Sequence, residues 1–272
     1  MSFSLAILFG SLVGFALGLT GGGGGIFAVP LLVYGMSIAP REAVGVSLAS
    51  VGGTALLGVT PRLFRGEVEV RTGLMFAVAG MLGAPLGSWL SKLLPESLLL
   101  VLFAVLMLVI ATRMWKASFP RPRILDAAQR NQPDVKQATC QRNERGELRL
   151  NSRCAMLLAV IGVLTGVLSG MFGVGGGFVI VPALVLFSGM EMHHAVATSL
   201  LVIFLVSISG VGFYIFSGGS LSLVVTALFI LGGFIGMNLG SNVSKKLSGP
   251  NLQRVFASAI IAVAIFVITR QL

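Results

Sequence analysis

The sequence predicts an all-α polytopic membrane protein made of two homologous repeats, inverted relative to one another, with glycine-broken helices. Three observations carry this. Hydrophobic residues make up 56% of the 272 and charged ones only 10%, with a mean hydropathy of +0.98; soluble domains carry roughly 25% charged residues. Several apolar runs approach the ~20 residues that a membrane-spanning helix needs. They are continuous, whereas a membrane β-barrel requires alternating ~10-residue segments. Finally, the chain repeats itself at an offset of 152 residues: Gly14, Gly18, Gly21, Gly23, Gly24, Gly25 and Pro30 fall on Gly166, Gly170, Gly173, Gly175, Gly176, Gly177 and Pro182. A repeat of this kind has to be recognised before single elements are assigned.

Repeat one, residues 1–112, holds apolar stretches at Phe3–Thr20, Ile26–Ile38, Ala43–Thr60, Thr72–Ser91 and Leu98–Thr112. The first has no positive n-region and is followed by further spans, so it reads as a retained helix, not a signal peptide. The second has thirteen residues, about 20 Å of helix, which is short of the ~30 Å hydrocarbon core. Pro30 near its start suits a first helical turn. The expected order is a helix, a glycine break, then a half-helix or strongly tilted helix.

Repeat two, residues 154–272, mirrors this at Cys154–Phe172, Phe178–Met190, Ala195–Phe216, Leu221–Ser244 and Val255–Thr269. The match continues through Ala43-Val44 with Ala195-Val196, Ser47-Leu48 with Ser199-Leu200, and Gly58 with Gly210. After a one-residue insertion, Gly83, Gly87-Ser88 and Ser91-Lys92 match Gly236, Gly240-Ser241 and Ser244-Lys245.

Between the repeats, segment 113–153 carries ten of the nineteen Lys/Arg and four acids, in a chain of net charge +10. A basic hydrophilic loop between apolar halves is the positive-inside mark of a cytoplasmic segment, not a nucleic-acid patch. Lipid headgroup binding is the sharper alternative. Cys140 and Cys154 sit in or at the end of this loop, where a reducing cytoplasm disfavours a disulfide. With the loop inside, five crossings per repeat place sixteen Lys/Arg inside and three outside, and four crossings place fourteen and five. The odd number is favoured, and it inverts the repeats. Transporters built this way hold their sites at the repeat interface near the bilayer midplane.

The glycine breaks are the first candidate site. Irregular backbone inside a bilayer is tolerated only when buried in protein or lining a wet cavity. A half-helix beginning after Gly22, Gly23, Gly24 and Gly25, or after Gly173, Gly175, Gly176 and Gly177, points free N–H groups and a positive dipole end into the gap. Two such ends form an anion site without a charged side chain. The alternative is helix packing through small residues, which is the reading given to Gly14-xxx-Gly18 and Gly166-xxx-Gly170.

Small hydroxyls come next. Ser47 matches Ser199 across the repeats, with Thr198 beside it, and Thr20 and Ser169 flank the breaks. Such groups donate to an oxyanion or bond back to their own helix. Every Asp and Glu falls at a span end or in a loop. Cation pathways usually carry ionisable groups inside the membrane, so an anionic or neutral substrate is expected. His193-His194 with Glu191 is the titratable cluster near a break, read either as proton-linked or as a surface feature of a span end. Asn238 and Asn242 are assigned to hydrogen bonds between helices. There is no HExxH, GxSxG or CxxC, and neither an enzymatic activity, a cofactor nor a metal is expected. A hydrolase pairing Ser169 with the histidines would leave the glycines of repeat one without a purpose.

The duplicated pattern resembles the sulfite exporter TauE/SafE family of probable membrane transporters. The residues that carry the resemblance are Gly14-xxx-Gly18-xx-Gly21-x-Gly23-Gly24-Gly25 leading to Val29-Pro30, Gly173-Val174-Gly175-Gly176-Gly177 leading to Val181-Pro182, and the helix starts at Ala43-Val44 and Ala195-Val196-Ala197-Thr198-Ser199. The resemblance implies a bacterial inner-membrane protein moving sulfite, sulfonates or related organosulfur anions, with substrate and direction left open. The expected partners are a small anionic substrate and the lipid bilayer; a homodimer is left open and nucleic acid is excluded. Alternating access is the expected mode and a passive anion channel the alternative. Gly22 departs from the pattern, because repeat two has Val174 there, and the smaller residue is expected to loosen the site.

Overall fold

The computed structural model describes residues 3–117, 141–142, 148–149, 152–173, 175–188 and 190–244, together with Ser258, Ile261, Ala262 and Ile265. Helix α1 runs Phe3–Thr20 and α2 runs Gly24–Pro30, continuing through a wider turn at Leu31–Gly35. Then come α3 (Pro40–Phe64), α4 (Val70–Leu93) and α5 (Glu96–Ala117). In the second half, α6 is Ser152–Phe172, α7 Gly177–Ser188, α8 Met192–Phe216 and α9 Leu223–Ser244. Among the described residues, six helices (α1, α3, α4, α6, α8 and α9) are long and apolar enough to cross a membrane. Most of the tenth apolar stretch, Val255–Thr269, lies outside the described residues.

The helices associate in a pattern that survives exchange of the two halves. α1 packs on α9 and α4 on α6, while α3 crosses α8; α4 also touches α8, and α3 touches α9. The two outer pairs are closed by glycine. A Cβ added at Gly14 would lie 2.0 Å from the Gly233 carbonyl oxygen, and one at Gly166 would lie 2.1 Å from that of Gly80. On the facing helices, Gly236 and Gly87 would collide with the Ser11 and Val167 carbonyls. Lipid tails are as apolar as leucine, so helices in a bilayer gain by close approach, and these stripes permit it. Gly14-xxx-Gly18 and Gly166-xxx-Gly170 therefore pack helices, as expected. The opposite faces expose large apolar side chains, among them Leu12, Leu82, Leu164 and Leu239. In water such faces would drive association; around a membrane bundle they meet lipid.

Two local features differ from expectation. Pro30 stands at the end of α2, not in its first turn, and Pro182 likewise lies inside α7. Proline has no N–H to give to the carbonyl one turn below, and the backbone after Pro30 widens to i→i+5 bonding over Leu31–Gly35. Cys154 is in a disulfide. The other cysteine of the chain, Cys140, lies outside the described residues.

Candidate functional site: two crossed glycine breaks

Both breaks begin in the same way. α1 ends where the Gly21 amide donates to Leu17 O at 2.8 Å, and α6 where Gly173 donates to Ser169 O at 2.9 Å. Each glycine then turns left-handed, with φ of +74° and +71°. L side chains resist this region and glycine does not, which is why helices so often stop on one. A second constraint acts at the same positions: an added Cβ would lie 2.8 Å from Val196 Cα at Gly21 and 2.7 Å from Val44 Cα at Gly173. Val44 and Val196 correspond at the repeat offset, so each break is wedged against the third helix of the opposite repeat.

The carbonyls of these two glycines point out of their helices and need donors. Ser199 supplies one to Gly21 O at 2.6 Å, and Ser47 supplies one to Gly173 O at 2.5 Å. Ser199 Oγ also lies 2.8 Å from its own helix's Val196 O. The matched serines thus form a crossed lock in which each repeat satisfies the other's broken backbone. The locking carbonyls are buried, and a buried carbonyl left without a donor costs about 1–3 kcal/mol. Ser47 and Ser199 therefore spend their protons on peptide oxygens.

At the centre the breaks meet backbone to backbone. A Cβ on Gly22 would lie 2.1 Å from the Gly177 carbonyl carbon, and one on Gly177 would lie 2.4 Å from Gly22 Cα. Gly22 does not loosen the site; it lets the two breaks touch. Gly24 is held against α1, where a Cβ would lie 2.2 Å from Val13 O. Gly21 to Gly25, Gly173 and Gly175 to Gly177 are all buried.

Beyond this common frame the breaks diverge. Thr20 Oγ donates to Ala16 O at 2.8 Å and accepts the Gly23 amide at 2.9 Å. That bond ties Gly23, the residue just before α2, back to the end of α1, and Gly23 keeps right-handed backbone, φ −75°. The position corresponding to Thr20 is Phe172, which has no hydroxyl to make it. Here Gly175 and Gly176 are both left-handed, φ +71° and +67°. The Ile180 amide donates to Gly176 O at 3.2 Å, and among the described residues the Gly177 and Val179 amides before it bond no carbonyl a turn below, as the first amides of a helix do not.

The other predicted residues fall elsewhere. Thr198 Oγ1 accepts the Glu69 amide at 3.0 Å, fixing the α3–α4 loop. His194 Nδ1 lies 2.8 Å from Glu67 O in the same loop, and His193 is exposed. A ring nitrogen facing a carbonyl must carry the proton, so His194 donates there. Asn238 does not bridge helices: it bonds back to Phe234 O. Charged side chains of the described spans occupy end turns, where Arg41 bonds the C-terminal carbonyls of α4 at Lys92 and Leu94. Among the described residues, no cluster of His, Cys, Asp and Glu could hold a metal.

Among the described residues, three buried hydroxyls have no hydrogen-bond partner: Ser50, Ser169 and Ser207. Their shared signal is a mismatch between the repeats, since the corresponding positions are Val202, Leu17 and Ala55.

Comparison with known proteins agrees with this architecture. Residues 6–267 match the family model described as Sulfite exporter TauE/SafE. A probable membrane transporter protein of Xylella fastidiosa is 36% identical, over 96% of this chain and 93% of its own. The probable membrane transporter protein YunE of Bacillus subtilis is 28% identical over 97% and 96%, and MJ0441 of Methanocaldococcus jannaschii is 25% identical over 95% and 92%. No solved structure matches the chain.

Proposed function

The chain belongs to the sulfite exporter TauE/SafE family, and on that premise we propose that it is a secondary transporter moving a small anion across the bacterial inner membrane by alternating access. The substrate class is sulfite, a sulfonate or a related organosulfur anion. One observation carries the reading. Two broken helices of matching sequence meet at Gly22 and Gly177 inside a bundle whose charged side chains keep to span ends. Peptide groups and hydroxyls are then the polar material available at the crossing. Amides at a helix start favour negative charge.

The absence of a countercharge in the described spans also sets the valence. The cost of desolvating an ion rises with the square of its charge, and for one charge it is already several kcal/mol after relaxation. A monoanion is therefore the expected cargo, and hydrogensulfite is preferred to the sulfite dianion. The backbone contact between the breaks favours a transporter with a closed centre over the alternative, a passive channel. In this reading the crossed serines release one break at a time.

Purified protein in proteoliposomes tests this. Uphill sulfite accumulation under an imposed proton gradient is expected. Flux that only dissipates a sulfite gradient identifies a channel, and no flux of sulfite, thiosulfate, sulfoacetate or taurine removes the reading.

A further inference from the structure

The two breaks are not equivalent as ligand seats, and we infer that the anion is held by the second alone, on the Ser169 hydroxyl and the first amides of α7. This rests on the small-anion reading above and assigns its site. α7 has twelve residues, enough for a helix end whose amides favour negative charge. The independent observation is a side chain beside that end. Ser169 is 0% exposed, and its hydroxyl has no partner. Its Cβ would lie 3.5 Å from a Cβ placed on Gly176, beside the turn that starts α7. A buried hydroxyl normally finds an acceptor, and one that does not calls for a ligand or water.

The other two unpartnered hydroxyls lie on the two helices that seat Gly175, Ser50 on α3 and Ser207 on α8. Gly175 is seated between Val51 and Ile203, which a Cβ there would meet at 3.1 and 3.2 Å. Ser50 directly precedes Val51. Gly52 directly follows it and packs on Ser207, whose Cβ would lie 2.5 Å from a Cβ on Gly52. Unpartnered hydroxyls therefore sit on α3, α6 and α8, the three helices that supply Val51, Ser169 and Ile203 to the surroundings of Gly175 and Gly176. Around the first break the corresponding side chains are Leu17, Val202 and Ala55, and the Gly23 amide is already taken by Thr20. Hydroxyl and amide protons converging without a cation suit a compact oxyanion head such as a sulfur monoanion. They repel a metal ion.

Sulfite flux in proteoliposomes, with a thermal melt of each variant, tests the assignment. Ser169→Ala is expected to raise KM by about tenfold or more, the loss of one hydrogen bond to a charged group, without lowering Tm. Ser169→Thr, which keeps the hydroxyl, should restore most of the affinity. Thr20→Val should lower Tm and leave KM within about twofold. A wild-type KM in Ser169→Ala, or a KM defect in Thr20→Val alone, overturns the assignment while leaving anion transport intact. If the wild type carries no sulfur oxyanion, the transport reading fails and the assignment fails with it.

Discussion

Break one occupies three positions, between Thr20 and Gly24, and is closed by a hydrogen bond from the Gly23 amide to Thr20. Break two occupies four, between Phe172 and Gly177, and ends in two left-handed glycines beside an unpartnered serine. Both start from a left-handed glycine whose carbonyl is held by the opposite repeat. What they share is structural, a way to end a helix inside a bundle and satisfy the exposed carbonyl. What they do not share is the surplus of donors. Duplication supplies the frame twice, and a few substitutions assign different work to the two copies.

The largest expected effect comes from breaking the contact between them. Gly22→Val, which gives break one the residue type of break two, would drive a side chain into Gly177, where even a Cβ lies 2.1 Å from backbone. Overpacking against backbone costs about 3 kcal/mol or more, so folded yield on size-exclusion chromatography and sulfite flux should both collapse. A well-folded Gly22→Val protein would mean that the breaks need not touch.

Next is the lock. Ser47→Ala and Ser199→Ala should each lower stability by about 1–3 kcal/mol, the cost of one orphaned buried carbonyl. Similar Tm losses in detergent for the two variants would match the crossed geometry. A loss in one variant only would show that the two halves of the lock are unequal. Thr20→Val should be milder, about 1 kcal/mol, the net worth of an ordinary hydrogen bond.

The smallest effect concerns the basic loop. The positive-inside count places it in the cytoplasm, where thiols stay reduced, yet Cys154 is disulfide-bonded. Cytoplasmic placement predicts that a permeant maleimide labels Cys140 in intact cells and an impermeant one does not. Resistance to the permeant reagent until reductant is added would place the loop on the oxidising side.

The sequence made much of this architecture legible. The offset of 152 located both breaks, and the glycine spacing in α1 and α6 announced the packing seams, because close helix contact demands small residues at one-turn intervals. The matched Ser47 and Ser199 stood out as a pair, but their role did not. Sequence spacing does not tell a hydroxyl aimed at a ligand from one aimed at a carbonyl of the other repeat. Gly22 misled for a related reason: a missing side chain reads as space, whereas here it is filled by Gly177. Ser50 and Ser207 are not marked by the repeat match, because their counterparts at the same offset are the apolar Val202 and Ala55.

The most direct test is an amide spectrum of protein labelled with 15N-glycine, titrated with sulfite in nanodiscs and assigned through single glycine substitutions. Hydrogen bonds from peptide nitrogen to an anion move the amide proton downfield. The Gly176 and Gly177 signals are expected to shift and saturate, while those of Gly21 and Gly23 stay in place. Saturable sulfite transport with all four signals unmoved would contradict a seat made of peptide nitrogen.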